Sequence, residues 1–144
     1  MNIKEISNKI TKAIKRISDT KSSIWNTAER NICHHIASEL EQDFPEYNID
    51  IELDKDDRRR PDIVIHKRGN NEDNLIVFQV KKNPSTKSIE DDIKKINETF
   101  FRKPYLYTFG VFISIGKLPR QLPKFDPNKI CIVEVYGWKI TSTN

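Results

Sequence analysis

The sequence predicts an α/β domain, a mixed β-sheet flanked by helices with an extra amphipathic helix at its N-terminal end. Three observations carry this reading. Helix-period and extended segments follow one another as helix, three strands, helix, strand, strand. The extended runs 61–66 and 75–81 are separated only by the polar stretch 68–74. That stretch allows a hairpin and is too short for a helical crossover, so the two strands are expected to be antiparallel neighbours. Finally, 75–81 and 105–115 are apolar almost throughout, as strands covered on both faces are.

Each element has its own signal. Ile3, Ile6, Ile10, Ala13 and Ile17 repeat at helical spacing, with Lys4, Lys9, Lys12, Lys15 and Arg16 on the other faces. This basic amphipathic helix, a 1–20 extension, either packs on its own domain or serves as a dimer contact or DNA-facing arm. A second helix is expected over about 23–43, with Ile24, Ala28, Ile32, Ile36, Ala37 and Leu40 as its stripe and Phe44-Pro45 as its stop. Residues 48–53 read as a strand and 54–60 as a charged turn. Pro61 opens the next strand, where a missing donor is tolerated. Ser85 or Ser88 caps a helix reaching about Phe101, and Ser88 with Asp91 fits a capping box. Ile89, Ile93, Ile96 and Phe100 line its buried side. A long strand over 105–115, a Pro-rich loop over 117–128 and a last strand over 130–136 complete the chain.

Composition bounds the class. The 144 residues fit one domain with a sizeable core, 32% charged and 36% hydrophobic. The net charge of +4 and pI near 9.0 permit a nucleic-acid partner without requiring one. No run approaches the roughly 20 apolar residues that span a bilayer. Lys4, Glu5, Lys9 and Lys12 interrupt any signal-like apolar region. Two cysteines, Cys33 and Cys131, make no disulfide framework, and a cytoplasmic protein with free thiols is the expectation.

The chemistry-bearing residues lie on the hairpin. Asp62 opens one strand of an apolar pair, and Gln79 and Lys81 sit two apart on the other, so they project from one face. A carboxylate, an amide and a lysine are costly to bury without partners. Hard-cation phosphodiester chemistry uses such oxygen ligands with a nearby cation.

The run Arg60-Pro61-Asp62-Ile63-Val64-Ile65 followed by Val77-Phe78-Gln79-Val80-Lys81-Lys82 resembles the PD-(D/E)xK nuclease superfamily. Pro61-Asp62 matches as it stands. Gln79-Val80-Lys81 matches except at its first position, where glutamine replaces the usual acid. The resemblance covers roughly residues 23–136 and implies a restriction-endonuclease-like fold that cleaves DNA with Mg²⁺ or Mn²⁺. By the same resemblance Asp62 holds the metal, the Gln79 side-chain oxygen and the Val80 carbonyl supply further ligands, and Lys81 serves the attacking water or the charge at phosphorus. Glu29 or Glu39 would add a helix carboxylate. Glu29 is preferred, because Glu29-Arg30-Asn31-Ile32-Cys33-His34-His35 resembles the opening helix of small members. The alternative is a weak or inactive nuclease-fold module that binds nucleic acid or a protein. A homodimer is expected because a small domain cuts both strands of a duplex more readily with a twofold mate. The isoleucine stripe offers it a surface.

Around this hairpin, Arg58, Arg59, Arg60, Lys67 and Lys82, with Arg68, form a basic cluster suited to phosphates, and Lys94 and Lys95 extend it. The competing reading is a solvated turn whose arginines pair with Asp54, Asp56 and Asp57. Cys33-His34-His35 invites zinc, but adjacent helical residues point about 100° apart and no second ligand pair follows. His34 or His35 could still line a DNA groove.

Overall fold

The computed structural model describes residues 1–51, 60–69 and 72–143. Six strands form one mixed sheet in chain order: β1 (Asn48–Ile51), β2 (Ile63–His66), β3 (Ile76–Lys82), β4 (Phe109–Ile115), β5 (Ile130–Tyr136) and β6 (Lys139–Ser142). β1, β2 and β3 are joined antiparallel, β3, β4 and β5 run parallel, and β6 returns antiparallel. The expected hairpin is thus present, with Ile63 opposite Phe78 and Ile65 opposite Ile76. The parallel step from β3 to β4 is carried by α3 (Thr86–Lys95), as a parallel connection requires.

Strand alternation splits the interior into two cores. Ile63, Ile65, Ile76, Phe78, Val80, Val111, Ile113, Cys131 and Val133 face α1 (Ile3–Lys21) and α2 (Glu29–Leu40). Val64, Val77, Phe112, Ile130 and Ile132 face α3 and the π-helical turn after it, Ile96–Phe100. Consecutive strand residues therefore belong to opposite cores, as the pleat demands.

The first helix packs on its own domain. Ile3, Ile6, Ile10, Ala13, Ile14 and Ile17 are buried against the sheet and α2. The Asn2 side chain accepts the Glu5 amide and caps the start. The Ser7 hydroxyl bonds that of Ser142 on β6. Arg16 bridges to α2 through Glu39 at 2.6 Å and to Asp43. The stripe is consumed by the fold and leaves no isoleucine surface for a twofold mate. That corrects the surface expected for a dimer.

Other boundaries also move. α2 begins at Glu29, not near residue 23, because Ser22–Asn26 is a separate 3₁₀ turn. Thr27 closes that turn by donating its amide and its hydroxyl to the Ile24 carbonyl. The cap of α3 is Ser85, whose side chain accepts the Ser88 amide while the Ser88 hydroxyl accepts the Ser85 amide. Asp91 instead pairs with Lys87 at 2.9 Å. β4 starts at Phe109, since residues 105–108 lead in as a loop. β6 was not expected, because Lys139-Ile140-Thr141-Ser142 carries one apolar residue. The predicted 48–53 strand is present to Ile51. The remainder of it and most of the charged turn lie outside the described residues. No helix among the described residues is long and apolar enough to cross a membrane.

Candidate functional site

Asp62 immediately precedes β2. Its amide donates to the Phe78 carbonyl at 3.1 Å, and its Oδ2 accepts the Val80 amide at 2.7 Å. These two bonds clamp the carboxylate onto β3. Continuing the β2–β3 register by one residue sets Asp62 opposite Gln79. Val64 and Val77 face the α3 core, so alternation aims Asp62, Gln79 and Lys81 at that side too. The three sequence-predicted residues share a face.

Gln79 is 3% exposed, and its amide nitrogen has no hydrogen-bond partner among the described residues. Such a group is uncommon enough to need a reason. Lys81 is partly exposed and reaches a residue that the sequence reading passed over, Asp92 of α3. The Lys81 Nζ lies 3.7 Å from Asp92 Oδ2, and the Lys95 Nζ lies 3.9 Å from Oδ1. Asp92 is itself 3% exposed, and its Oδ2 is held by the ion pair to Lys81. The signal was available. Asp92 is three residues after Ile89 and adjacent to Ile93, so it falls on the buried stripe rather than beside it.

The electrostatics follow from this crowding. Burial pushes the Asp62 carboxyl up to about 6, and the negative charges of Asp92 and Glu29 add to the rise. The Val80 amide and Lys81 oppose it. Burial likewise raises Asp92, against the pull of Lys81 and Lys95. Two buried carboxylates, Asp62 and Asp92, whose charged forms are disfavoured even beside Lys81 and Lys95, make a site that gains from an added cation.

Glu29 is the first residue of α2 and reaches the end of β3, where its Oε1 accepts the Lys82 amide at 3.2 Å. The Lys82 Nζ donates to the Thr27 carbonyl at 3.0 Å. The start of α2 is thereby fastened to the strand carrying Gln79 and Lys81. Glu39 instead bonds Arg16 of α1 at 2.6 Å.

Asp62, Glu29, Asp92 and the Gln79 amide oxygen are hard donors, the type that suits Mg²⁺ or Mn²⁺. Among the described residues, however, no three of His, Cys, Asp and Glu are grouped closely enough to hold an ion. Glu29 is turned to the Lys82 amide and Asp92 to Lys81. The donor set fits a divalent cation in chemistry, and side-chain rotation would be needed to assemble it.

The basic cluster is only partly at this site. Arg58 and Arg59 lie outside the described residues, and Arg60 is exposed beside Pro61. Lys67 and Arg68 follow the other end of β2, about 17 Å from Asp62 at the rise of a strand. Lys67 sits over the Tyr47 ring, and Arg68 pairs with Asp50 at 2.6 Å. Distance removes both from the immediate site. Lys95 faces Asp92 and Lys94 is exposed on α3. His34 is exposed while Cys33 is buried, so the two do not converge.

Comparisons with family models, with curated proteins and with solved structures find no match to this chain.

Proposed function

We propose that this chain is a restriction-endonuclease-like, Mg²⁺- or Mn²⁺-dependent nuclease of the PD-(D/E)xK type that hydrolyses DNA. The observation that carries the reading is the shared face of Asp62, Gln79 and Lys81 on an antiparallel hairpin, with the Asp62 carboxyl raised by burial and two further carboxylates, Asp92 and Glu29, acting on it. A purely structural polar cluster would be paired off. This one leaves the Gln79 amide nitrogen without a hydrogen bond among the described residues.

In this proposal Asp62 is the primary metal ligand, through the oxygen not bonded to Val80. The Gln79 oxygen and Val80 carbonyl assist, and Glu29 swings from the Lys82 amide to join them. A bound divalent cation would polarise the scissile phosphate and acidify a water. Lys81, oriented by Asp92, holds the attacking water or offsets charge at phosphorus. Arg58, Arg59, Arg60 and Lys82 contact backbone phosphates. The protein works as a cytoplasmic DNA-processing enzyme, and any twofold assembly uses a surface other than the α1 stripe.

A second reading has support of its own. With glutamine at position 79 and, among the described residues, no three acids grouped, the fold would bind nucleic acid or a protein while cutting poorly. Metal binding separates the readings. Mn²⁺ titrated into the wild type and Asp62→Ala, followed by calorimetry, is expected to show one site that Asp62→Ala abolishes. Equal binding by both would overturn the nuclease reading.

A further inference from the structure

A groove of about 560 Å³ opens at the carboxyl ends of β3, β4 and β5, where Lys82, Ile115 and Val135 stand side by side. Ligands of open α/β sheets sit at the carboxyl ends of parallel strands. Its lining is aromatic and polar. Trp138 is 92% exposed and Tyr136 is 52% exposed, so both rings are open to a ligand. Trp25 closes the opposite wall, and its ring is fixed by an indole N–H bond to Ser18 at 3.0 Å. Among the described residues no acidic side chain lines the groove, and Lys82 gives it positive charge.

The aromatic rim is held by tight backbone. Tyr136 and Lys139 pair across a two-residue hairpin whose first central residue, Gly137, has φ +59°. That conformation is the one a tight hairpin needs there. Trp138 is therefore presented on a short, fixed turn rather than a loose loop. Across the groove, Asn83 (φ +48°) bonds the Ile115 carbonyl at 2.8 Å. A Cβ on Gly116 would lie 2.1 Å from the Asn83 side-chain oxygen, so only glycine admits this amide. Asn83 and Asn26 place amide groups, each both donor and acceptor, beside the rings.

We infer that this groove binds an unpaired base of a nucleic-acid strand, stacked on Trp138 and Tyr136 with its edge toward Asn26 and Asn83. The inference rests on the nuclease reading and deepens it: Lys82 follows Lys81 at the end of β3 and projects to the other face, so groove and site lie on either side of one strand end. A nucleic-acid strand passing over the end of β3, from one face to the other, would set a phosphate near Lys81 and a base in the groove. The substrate class is thereby single-stranded or locally unpaired nucleic acid. Flat rings, amide edges and a cation match a base with its phosphate.

The test is fluorescence anisotropy of fluorescein-labelled dT10 in EDTA, where nothing is cut. A ten-unit abasic oligomer and a 20-base-pair duplex serve as comparison probes. Stacking on an aromatic ring contributes enough that Trp138→Ala should weaken dT10 binding about tenfold or more, with Trp138→Phe restoring most of it. The abasic oligomer should bind weakly and be indifferent to Trp138→Ala. A loss under threefold for Trp138→Ala, abasic binding as tight as dT10, or no dT10 binding at micromolar protein overturns the inference. Trp138 is so exposed that its removal leaves the fold intact. The two proposals fail separately. Metal-dependent cleavage lost in Asp62→Ala with no effect of Trp138 retires the groove alone. Trp138-dependent binding without cleavage under any metal retires the nuclease alone.

Discussion

Asp62 is held in a state that costs the fold stability, and its replacement measures that cost. Its carboxyl is raised from 3.8 to about 6 by burial and by the neighbouring charges of Asp92 and Glu29. A rise of about 2 units corresponds to roughly 3 kcal/mol between protonation states. Because the folded state binds this proton more tightly than the unfolded chain, the stability that depends on Asp62 is fullest below pH 4. It declines as pH climbs through the window from 4 to 6 and levels off above it. Asp62→Asn keeps an oxygen for the Val80 amide and carries no charge to bury. The variant should therefore match the wild type near pH 4 and exceed it by about 2–3 kcal/mol at pH 7.5. At this chain length that is a gain in Tm of roughly 6–9 °C. Urea denaturation of both proteins from pH 4 to 8 in EDTA gives the difference directly. A destabilised Asp62→Asn at pH 7.5, or a difference that does not change with pH, would refute the reasoning. The gain should vanish as a benefit once activity is measured, since the charge is what a cation would use.

Further outcomes follow from the same geometry. Gln79→Glu adds charge at unchanged side-chain length, so Mn²⁺ affinity and cleavage should both rise, checked by calorimetry and a nicking assay. Metal-free Gln79→Glu should be less stable than wild type, because a further acid joins Asp62 and Asp92 at a position 3% exposed. Glu29→Gln keeps an acceptor for the Lys82 amide on an exposed helix start, so its stability should change by less than about 0.5 kcal/mol while cleavage falls. Ile10→Ala should cost about 2–5 kcal/mol by urea denaturation and leave the sedimentation coefficient unchanged, because Ile10 is fully buried in its own chain.

Much of this architecture was legible in the sequence, and the limits have physical causes. The strand pair carrying Asp62 and Gln79 could be read because β-branched runs joined by a short polar link admit few other arrangements. The α1 stripe was equally plain as a pattern, but periodicity alone does not say which surface covers an apolar face. Here α2 and the ends of β5 and β6 cover it. β6 carries too little apolar content to announce itself, and it exists because the Gly137-Trp138 turn folds it back onto β5. Asp92 was overlooked because the surrounding Asp91 and Glu90 are ordinary exposed helix acids, and only its phase on the stripe sets it apart. The assignment of Lys67 and Arg68 to the site treated neighbours along the chain as neighbours in space. A four-residue strand carries them away from Asp62.

The measurement closest to the central claim is cleavage of supercoiled plasmid by purified wild-type protein in Mg²⁺, in Mn²⁺ and in EDTA, alongside Asp62→Ala and Lys81→Ala. Slow metal-dependent nicking by the wild type, absent in EDTA and reduced by at least a hundredfold in both variants, is the predicted result. Cleavage that persists in Asp62→Ala, or no cleavage by either the wild type or Gln79→Glu at any metal concentration, would contradict it.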